Sequence, residues 1–194
     1  MCKFSKEDKV RLGNAVIYVA ARIPHLQKTK LIKLLYLMEE KMAQVYQTPF
    51  LALPYEVWQY GPVSKDVFVD LSNDTPTLLR DYISVDAEGV ITPKKEFDPM
   101  EFSDCEIEMM DHVLKQYGSM TAHDLVDLLH QKGTLWYKTA VANNLLEAFE
   151  NGTATTSDVV LNQADCLQGC EKEDYLASYN LHRDASMLRA EAYV

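Results

Sequence analysis

The sequence predicts a mainly α-helical fold, a compact domain of about six to eight helices with one small β-hairpin, between the all-α and α+β classes. Apolar residues recur at spacings of three and four along most of the 194-residue chain, which is typical of helices with one buried face. Helix-start residues precede several of these stretches. β-branched runs flank a glycine within residues 83–91, which indicates a hairpin.

The N-terminal quarter is predicted to form two helices. Residues 6–21 follow Ser5, a residue type that suits the N-cap. Residues 28–46 give the clearest helix, because their leucines and methionines form one apolar stripe. Lys30 and Lys33 fall at or beyond the edge of this stripe. Base rates favour solvated side chains at both positions, with packing beside the core or contact with an acidic partner as alternatives.

The next segment lacks the helical spacing of apolar residues found in residues 28–46. Residues 51–60 contain Pro54 and alternating apolar residues, so a short extended piece is expected. Gly61 and Pro62 are predicted to form a turn, since the fixed φ of proline also suits the first position of a helix. That helix is expected to run to about Asn73.

The middle of the chain contains a hairpin signature and a strong helix start. The two short runs in residues 83–91 flank Gly89, which tolerates a positive φ. Further on, Ser103 and Glu106 have the spacing of a capping box. The helix that they begin is predicted to end at Gly118.

More helices are expected after this point. One begins at Thr121 and ends near Gly133, and residues 135–149 are predicted to form one or two short helices. Residues 151–158 read as a linker because they are polar and small, without an apolar period. Two further helices are predicted beyond the linker, over residues 157–168 and 171–190.

The linker suggests a division of the chain. We expect a domain over residues 1–150 and a helical C-terminal extension over residues 151–194 that packs on it. The sequence has no apolar run long enough to cross a membrane and no signal peptide. Its four cysteines lack the spacing of a disulfide framework, so a reduced, cytoplasmic location is expected.

The net charge of −10 is unevenly distributed. Residues 1–97 contain 13 Lys and Arg against 12 Asp and Glu, whereas residues 98–194 contain 6 against 17. The acidic half argues against nucleic acid as a partner, because phosphate backbones attract basic surfaces. A solvated acidic face that keeps the protein soluble is the simplest interpretation, and a basic protein partner is the alternative.

The sequence motifs predict no enzyme, no cofactor and no metal. Cys166 and Cys170 have helical spacing but lack further ligands, and His123 and His130 are about two turns apart. Cys105 lies among acidic residues, which oppose thiolate formation. His130 follows a predicted helix, where capping of the last carbonyls is favoured over a role as a base.

Trp58 and Tyr60 precede the Gly61-Pro62 pair and raise three interpretations. Aromatic rings stack on single-stranded bases, but that mode needs a basic groove and the neighbours here are mostly acidic. An interface hot spot is a second interpretation. A core anchor that fixes a chain reversal is favoured over both.

Three segments occur in a fixed order: KTKLIKLLYLMEEKM, LPYEVWQYGPVSKDVFVDL and TAHDLVDLLHQKGTLWYKTA. Together they resemble the Panacea domain of SocA-like antitoxins, a phage-associated family, over roughly residues 8–142. The residues assigned to the family motifs, as core and scaffold or as a candidate partner surface, are Lys30, Lys33, Tyr36, Trp58, Tyr60, Gly61, Pro62, Val63, His130 and Trp136.

The resemblance implies an antitoxin that neutralises a toxin encoded by a neighbouring gene, by direct binding and without catalysis. It implies a toxin protein as the partner, with a protease, a chaperone or a second copy of the chain as further candidates. The motif would shape the scaffold, and variable surfaces would recognise the partner. Three alternatives stay open: a proteolytic adaptor, a nucleic-acid-binding regulator and an enzyme with an unrecognised site.

Overall fold

The computed structural model describes residues 4–73 and 76–191, with side chains to residue 189, and its fold is mainly helical. The predicted class is confirmed. The described residues form eight α-helices: α1 (Lys6–Ala20), α2 (Lys28–Tyr46), α3 (Lys65–Asp70), α4 (Asp104–Tyr117), α5 (Ala122–Leu129), α6 (Leu135–Ala142), α7 (Leu145–Glu150) and α8 (Gly169–Glu191).

The described residues form two antiparallel hairpins, where the sequence predicted one. Their strands are β1 (Glu56–Trp58), β2 (Gly61–Val63), β3 (Ile83–Val85) and β4 (Ile91–Pro93). The β3–β4 hairpin is the predicted one. The β1–β2 hairpin is the addition, and short 3-10 turns occur at Pro99–Glu101 and Gln163–Cys166.

The predicted helix starts are confirmed where the caps are strong. At α1, the Ser5 hydroxyl accepts from Asp8 N (3.1 Å) while the Asp8 carboxylate accepts from Ser5 N (2.9 Å). The Ser103 main-chain N–H donates to Glu106 in the same way at α4 (2.8 Å). A capping box satisfies two end groups of the helix at once, so it specifies where the helix begins.

Helix α2 lies at the centre of the fold and packs against α1, α4, α5 and β2. Its bounds match the predicted 28–46, and eleven of its residues are buried, including every residue from 31 to 39, so this part of the helix is enclosed on all sides. Val45 and Tyr46 at its end are exposed. The left-handed conformation of Gln47 ends it. Elements from both halves of the sequence therefore share a single apolar core.

The prediction of a Gly61-Pro62 turn that opens a helix is wrong. Both residues lie in β2, paired with Trp58 and Val57, and the loop between the strands is Gln59-Tyr60. Helix α3 begins at Lys65 and ends at Asp70 instead of near Asn73. Local propensity is overridden here because side chains from distant helices bind the hairpin carbonyls, as described below.

The C-terminal segment, defined as residues 155–191, begins in extended form, so the helix predicted over 157–168 is wrong. Val57 N donates to Val159 O (2.8 Å) and Leu161 N donates to Tyr55 O (2.7 Å). These bonds place the segment beside β1 and use main-chain groups that a helix would need. Part of the predicted linker is thus attached to the domain, and the division at residue 150 stays a prediction.

The second C-terminal helix agrees with its prediction, since α8 covers the expected 171–190 and adds a few residues. Tyr175 is its most buried side chain and packs with Ala43, Ala164 and Leu167. Farther along, Arg189 pairs with Glu7 of α1 (2.9 Å). Within the described part of the chain, no helix is both long and apolar enough to span a membrane.

Candidate functional site

The β1–β2 hairpin is held by three side chains from three other parts of the fold. Each one places a nitrogen against a main-chain carbonyl of the hairpin. The contacts are Lys33 Nζ to Pro62 O (2.8 Å), His130 Nε2 to Gln59 O (2.9 Å) and Trp136 Nε1 to Trp58 O (3.0 Å). We call the hairpin and these three side chains the hairpin cluster.

Lys33 is the buried cation of the cluster. Its side chain extends from α2 and the residue is 1% exposed, so the prediction of a solvated lysine is wrong. No carboxylate among the described residues forms an ion pair with it. Burial lowers the pKa of Lys33 to about 7 because the charged form loses its hydration. The Pro62 carbonyl supplies the compensating hydrogen bond.

Gly61 gives Lys33 room to approach the hairpin. Its φ of +93° is a conformation that side chains with a Cβ rarely adopt. A Cβ at this position would lie 3.2 Å from Lys33 Nζ and 3.8 Å from His130 Cε1. The glycine of the motif is therefore required twice, for backbone conformation and for close packing.

His130 bridges α5 and the hairpin. Its Nδ1 lies 2.6 Å from Val126 O, the contact that the capping interpretation predicts, and its Nε2 faces Gln59 O. A carbonyl oxygen only accepts, so a ring nitrogen that carries a proton donates to the carbonyl it faces. The ring also packs edge-on against Trp136, at 3.9 Å between centroids. Both nitrogens are thus engaged in positioning the hairpin.

Trp136 and Trp58 lie in different environments. Trp136 is buried in the apolar core. Trp58 is half-buried, donates from Nε1 to Glu56 (2.9 Å) and packs edge-on against Phe68 of α3 (5.0 Å). Trp58 therefore faces α3 instead of the leucines of α2. Tyr60, at the tip of the hairpin, is 66% exposed.

Lys30 and Tyr36 belong to the same motif but do not touch the hairpin. Lys30 Nζ donates to Gly118 O (2.8 Å), which ties α2 to the end of α4. Tyr36 is fully buried and donates to Glu40 (3.1 Å). The structure brings together eight of the ten predicted positions, namely Lys33, Trp58, Tyr60, Gly61, Pro62, Val63, His130 and Trp136.

Two buried carboxylates were missed by the sequence reasoning. Glu39 accepts main-chain bonds from Phe50 (3.0 Å) and Leu51 (2.9 Å), and burial raises its pKa to about 7. Asp70 accepts from three main-chain N–H groups of residues 77–79. A signal existed for Glu39, which follows Leu35 by four positions and so falls on the apolar stripe of α2.

The residues considered for metal or thiol chemistry lie apart. Within residues 4–73 and 76–189, no three His, Cys, Asp or Glu residues are grouped closely enough to hold a metal ion. His123 faces Asp127 on its own helix (3.6 Å). Burial, with Glu40 nearby, raises the pKa of the Cys166 thiol to about 12, which favours the unreactive protonated form.

A protein-family model described as "Antitoxin SocA-like, Panacea domain" matches residues 31–137, more than half of the chain. The matched region includes the whole hairpin cluster. Searches of curated proteins and of solved structures gave no significant match.

Proposed function

Because the chain belongs to the SocA-like antitoxins with a Panacea domain, we propose that it neutralises a toxin encoded by a neighbouring gene, in the cytoplasm and by direct protein–protein binding. The family match over residues 31–137 is the observation on which this proposal depends. It assigns no catalytic step to the chain.

The hairpin cluster supports a scaffold role for the family motif. Lys33, His130 and Trp136 each direct a polar atom at a carbonyl of the same chain. These bonds leave their nitrogens committed to internal contacts, and such networks fix one backbone arrangement. The motif therefore holds the shape of the domain, and the toxin is recognised elsewhere.

The C-terminal segment has the better surface for a protein partner. Leu181 and Leu188 on α8 are largely exposed, although both are large and apolar. They lie seven residues apart, which places them on one side of the helix two turns from each other. Exposed apolar side chains on an acidic half of the chain suit a partner with a basic and apolar surface.

Co-expression tests the proposed function. The neighbouring gene would be induced in a heterologous host with and without this chain. We expect its product to arrest growth, growth to return when the chain is present, and the two proteins to co-purify. A neighbour that is harmless, or that stays toxic beside this chain, contradicts the proposal.

The same strains distinguish direct inhibition of the toxin from delivery of the toxin to a protease. Direct inhibition keeps the toxin at a constant level in a stable complex. A shorter toxin half-life in the presence of the chain would instead identify an adaptor that delivers the toxin to a protease.

A further inference from the structure

The C-terminal segment forms the outer edge of the small sheet that contains the β1–β2 hairpin. Residues 155–161 run antiparallel beside β1, where Val57 N donates to Val159 O (2.8 Å) and Leu161 N donates to Tyr55 O (2.7 Å). On the other side of β1, β2 packs against α2 and α5. The side of the sheet that is left open is therefore the one formed by the C-terminal segment.

Two residues of this edge direct main-chain groups away from β1. In an antiparallel pair, alternate residues point their N–H and C=O to opposite sides. Val160 lies opposite Glu56, between the two bonds to β1, so its N–H and C=O face outward. Asp158 occupies the preceding alternate position. Neither Val160 nor Asp158 forms a main-chain hydrogen bond within the described part of the chain, and both residues are exposed. We call these two residues the open edge.

The open edge lacks the usual protection against pairing with another chain. Edge strands are commonly blocked by proline, by lysine or by a covering element. Residues 155–161 contain no proline or lysine, and their one charged residue is Asp158. Val160 is 53% exposed although it is apolar. Such an edge is a template for an extended peptide, which adds a strand through main-chain hydrogen bonds.

The start of α8 indicates the charge of that peptide. It lies next to the open edge, since Val160 and Tyr175 line the same cavity of about 250 Å³. Asp158 itself is already paired with Lys65 (3.4 Å). Three other exposed carboxylates, in the first two turns of α8, form no ion pair within residues 4–73 and 76–189, namely Glu171, Glu173 and Asp174. A segment that carries Lys or Arg complements them.

A second copy of this chain fits the open edge less well than a basic partner. Each copy carries a net charge of −10. Pairing of two open edges would bring the acidic start of α8 in one copy toward the same carboxylates in the other, and like charges across an interface oppose association. The charge of the region therefore favours a different protein.

We propose that the open edge binds an extended segment of the toxin that contains Lys or Arg, which adds a strand to the sheet beside Asp158 and Val160. The inference rests on the proposed function and gives it a site. The main-chain bonds supply affinity for an extended chain, and the carboxylates of α8 select a basic one.

Val160→Pro is the test, since proline has no N–H to donate to an added strand. The Val160 N–H is unused within the described residues, and proline is tolerated at edge positions whose N–H faces solvent. We therefore expect a melting temperature close to that of the wild type. The Kd for the purified product of the neighbouring gene should increase about tenfold or more.

Val160→Thr is the matched control, because threonine keeps the N–H and the β-branched shape. It should melt and bind like the wild type. Val160→Pro that binds like the wild type overturns the proposal. If Val160→Thr loses as much affinity as Val160→Pro, the side chain and not the main chain is recognised, which also overturns it.

Hydrogen exchange on the wild-type complex is the second measurement, and it does not depend on any variant folding. We expect the Asp158 and Val160 amides to become protected when the toxin binds. The Leu161 amide should change little, since it is already bonded to Tyr55 O. Asp158 and Val160 amides that stay unprotected while another surface, such as α8 around Leu181, becomes protected would overturn the proposal.

Neutralisation of the α8 carboxylates tests the charge of the toxin segment. The variant combines Glu171→Gln, Glu173→Gln and Asp174→Asn. The control makes the same change in net charge at exposed positions outside the C-terminal segment, with Asp81→Asn, Glu88→Gln and Glu96→Gln. We expect the association rate constant to fall severalfold more for the α8 variant than for the control. Equal rates in the two variants would overturn the assignment of a basic segment to this edge.

These outcomes differ from failure of the proposed function. If the wild-type chain neither binds nor neutralises the neighbouring gene product, the antitoxin assignment itself is wrong, and the toxin-binding site is withdrawn with it. If the wild type neutralises the toxin and Val160→Pro does so equally well, only the site is wrong.

Discussion

The hairpin cluster and the C-terminal segment differ in where they place polar and apolar side chains. In the hairpin cluster, the polar atoms of Lys33, His130 and Trp136 all face carbonyl oxygens. In the C-terminal segment, the large apolar side chains of Leu181 and Leu188 are exposed. Paired buried groups specify one structure, whereas large apolar side chains left in solvent add nothing to stability and mark a surface for a partner.

Trp136→Ala should give the largest loss of stability. The residue is buried in the core, and its Nε1 holds the Trp58 carbonyl. Truncation leaves a cavity and an unpaired carbonyl, so we expect the free energy of unfolding to fall by about 3–5 kcal/mol in urea denaturation.

Trp58→Ala is the control for this prediction. The Trp58 ring is half-buried against Phe68, so its removal should cost clearly less than that of Trp136. An equal or greater loss for Trp58 would mean that the hairpin depends mainly on α3. Trp58→Ala with normal stability and lost toxin binding would make Trp58 an interface residue.

Gly61→Ala and Gly133→Ala each add a Cβ to a glycine with a positive φ. The two glycines have similar backbone conformations, but Gly61 lies in a crowded site and Gly133 in open space. Their φ values are +93° and +102°, so both substitutions introduce backbone strain of about 1–3 kcal/mol. Only at Gly61 does the added Cβ meet Lys33, at 3.2 Å, whereas the space around Gly133 is open. We expect Gly61→Ala to lower the melting temperature more than Gly133→Ala. Equal losses would show that the close approach of Lys33 is unimportant for stability.

The sequence predicted the elements whose signals are local. The bounds of α2 match those predicted from its apolar spacing, and the start of α4 follows from the Ser103–Glu106 box. The second hairpin and the extended stretch before Gln163 were missed. Both depend on bonds between residues far apart in the chain, such as that between Val57 and Val159, and a local pattern does not contain that information.

Eight of the ten family-motif positions meet in the structure, but the sequence did not predict the contacts between them. The family motif included Lys33, Gly61 and His130. Because lysine side chains are almost never fully buried, Lys33 was expected to be in solvent. The structure buries it because its ammonium group reaches the Pro62 carbonyl on the hairpin. Gln163 had no sequence signal, since a glutamine in a polar stretch does not reveal that it will be buried.

The pH dependence of stability tests whether Lys33 is as deeply buried as the structure indicates. Its pKa falls from 10.5 to about 7 on folding. Between these values the unfolded chain binds a proton that the folded chain does not, so this group makes stability rise with pH. The contribution should be about 1 kcal/mol between pH 7 and pH 8.

Lys33→Met isolates this contribution, because groups unaffected by the substitution cancel when the two proteins are compared. We expect the wild-type stability to rise relative to that of the variant above pH 7 in urea denaturation. Parallel curves would mean that Lys33 stays charged in the folded protein. The Glu39 carboxyl affects the pH dependence of stability at lower pH. Its pKa is raised on folding, so its contribution to stability falls as the pH rises from 4.5 to about 7.

The smallest effect on stability is expected for Leu181→Gln. Leu181 is 74% exposed, and substitutions at such positions usually change the free energy of unfolding by less than about 0.5 kcal/mol. Met100→Gln is the matched control, since Met100 is 89% exposed but lies outside the C-terminal segment. Both variants should melt like the wild type. If the C-terminal segment is the recognition surface, Leu181→Gln weakens toxin binding and Met100→Gln does not. The reverse result would place recognition on the domain that contains the hairpin cluster and remove the distinction between the two regions.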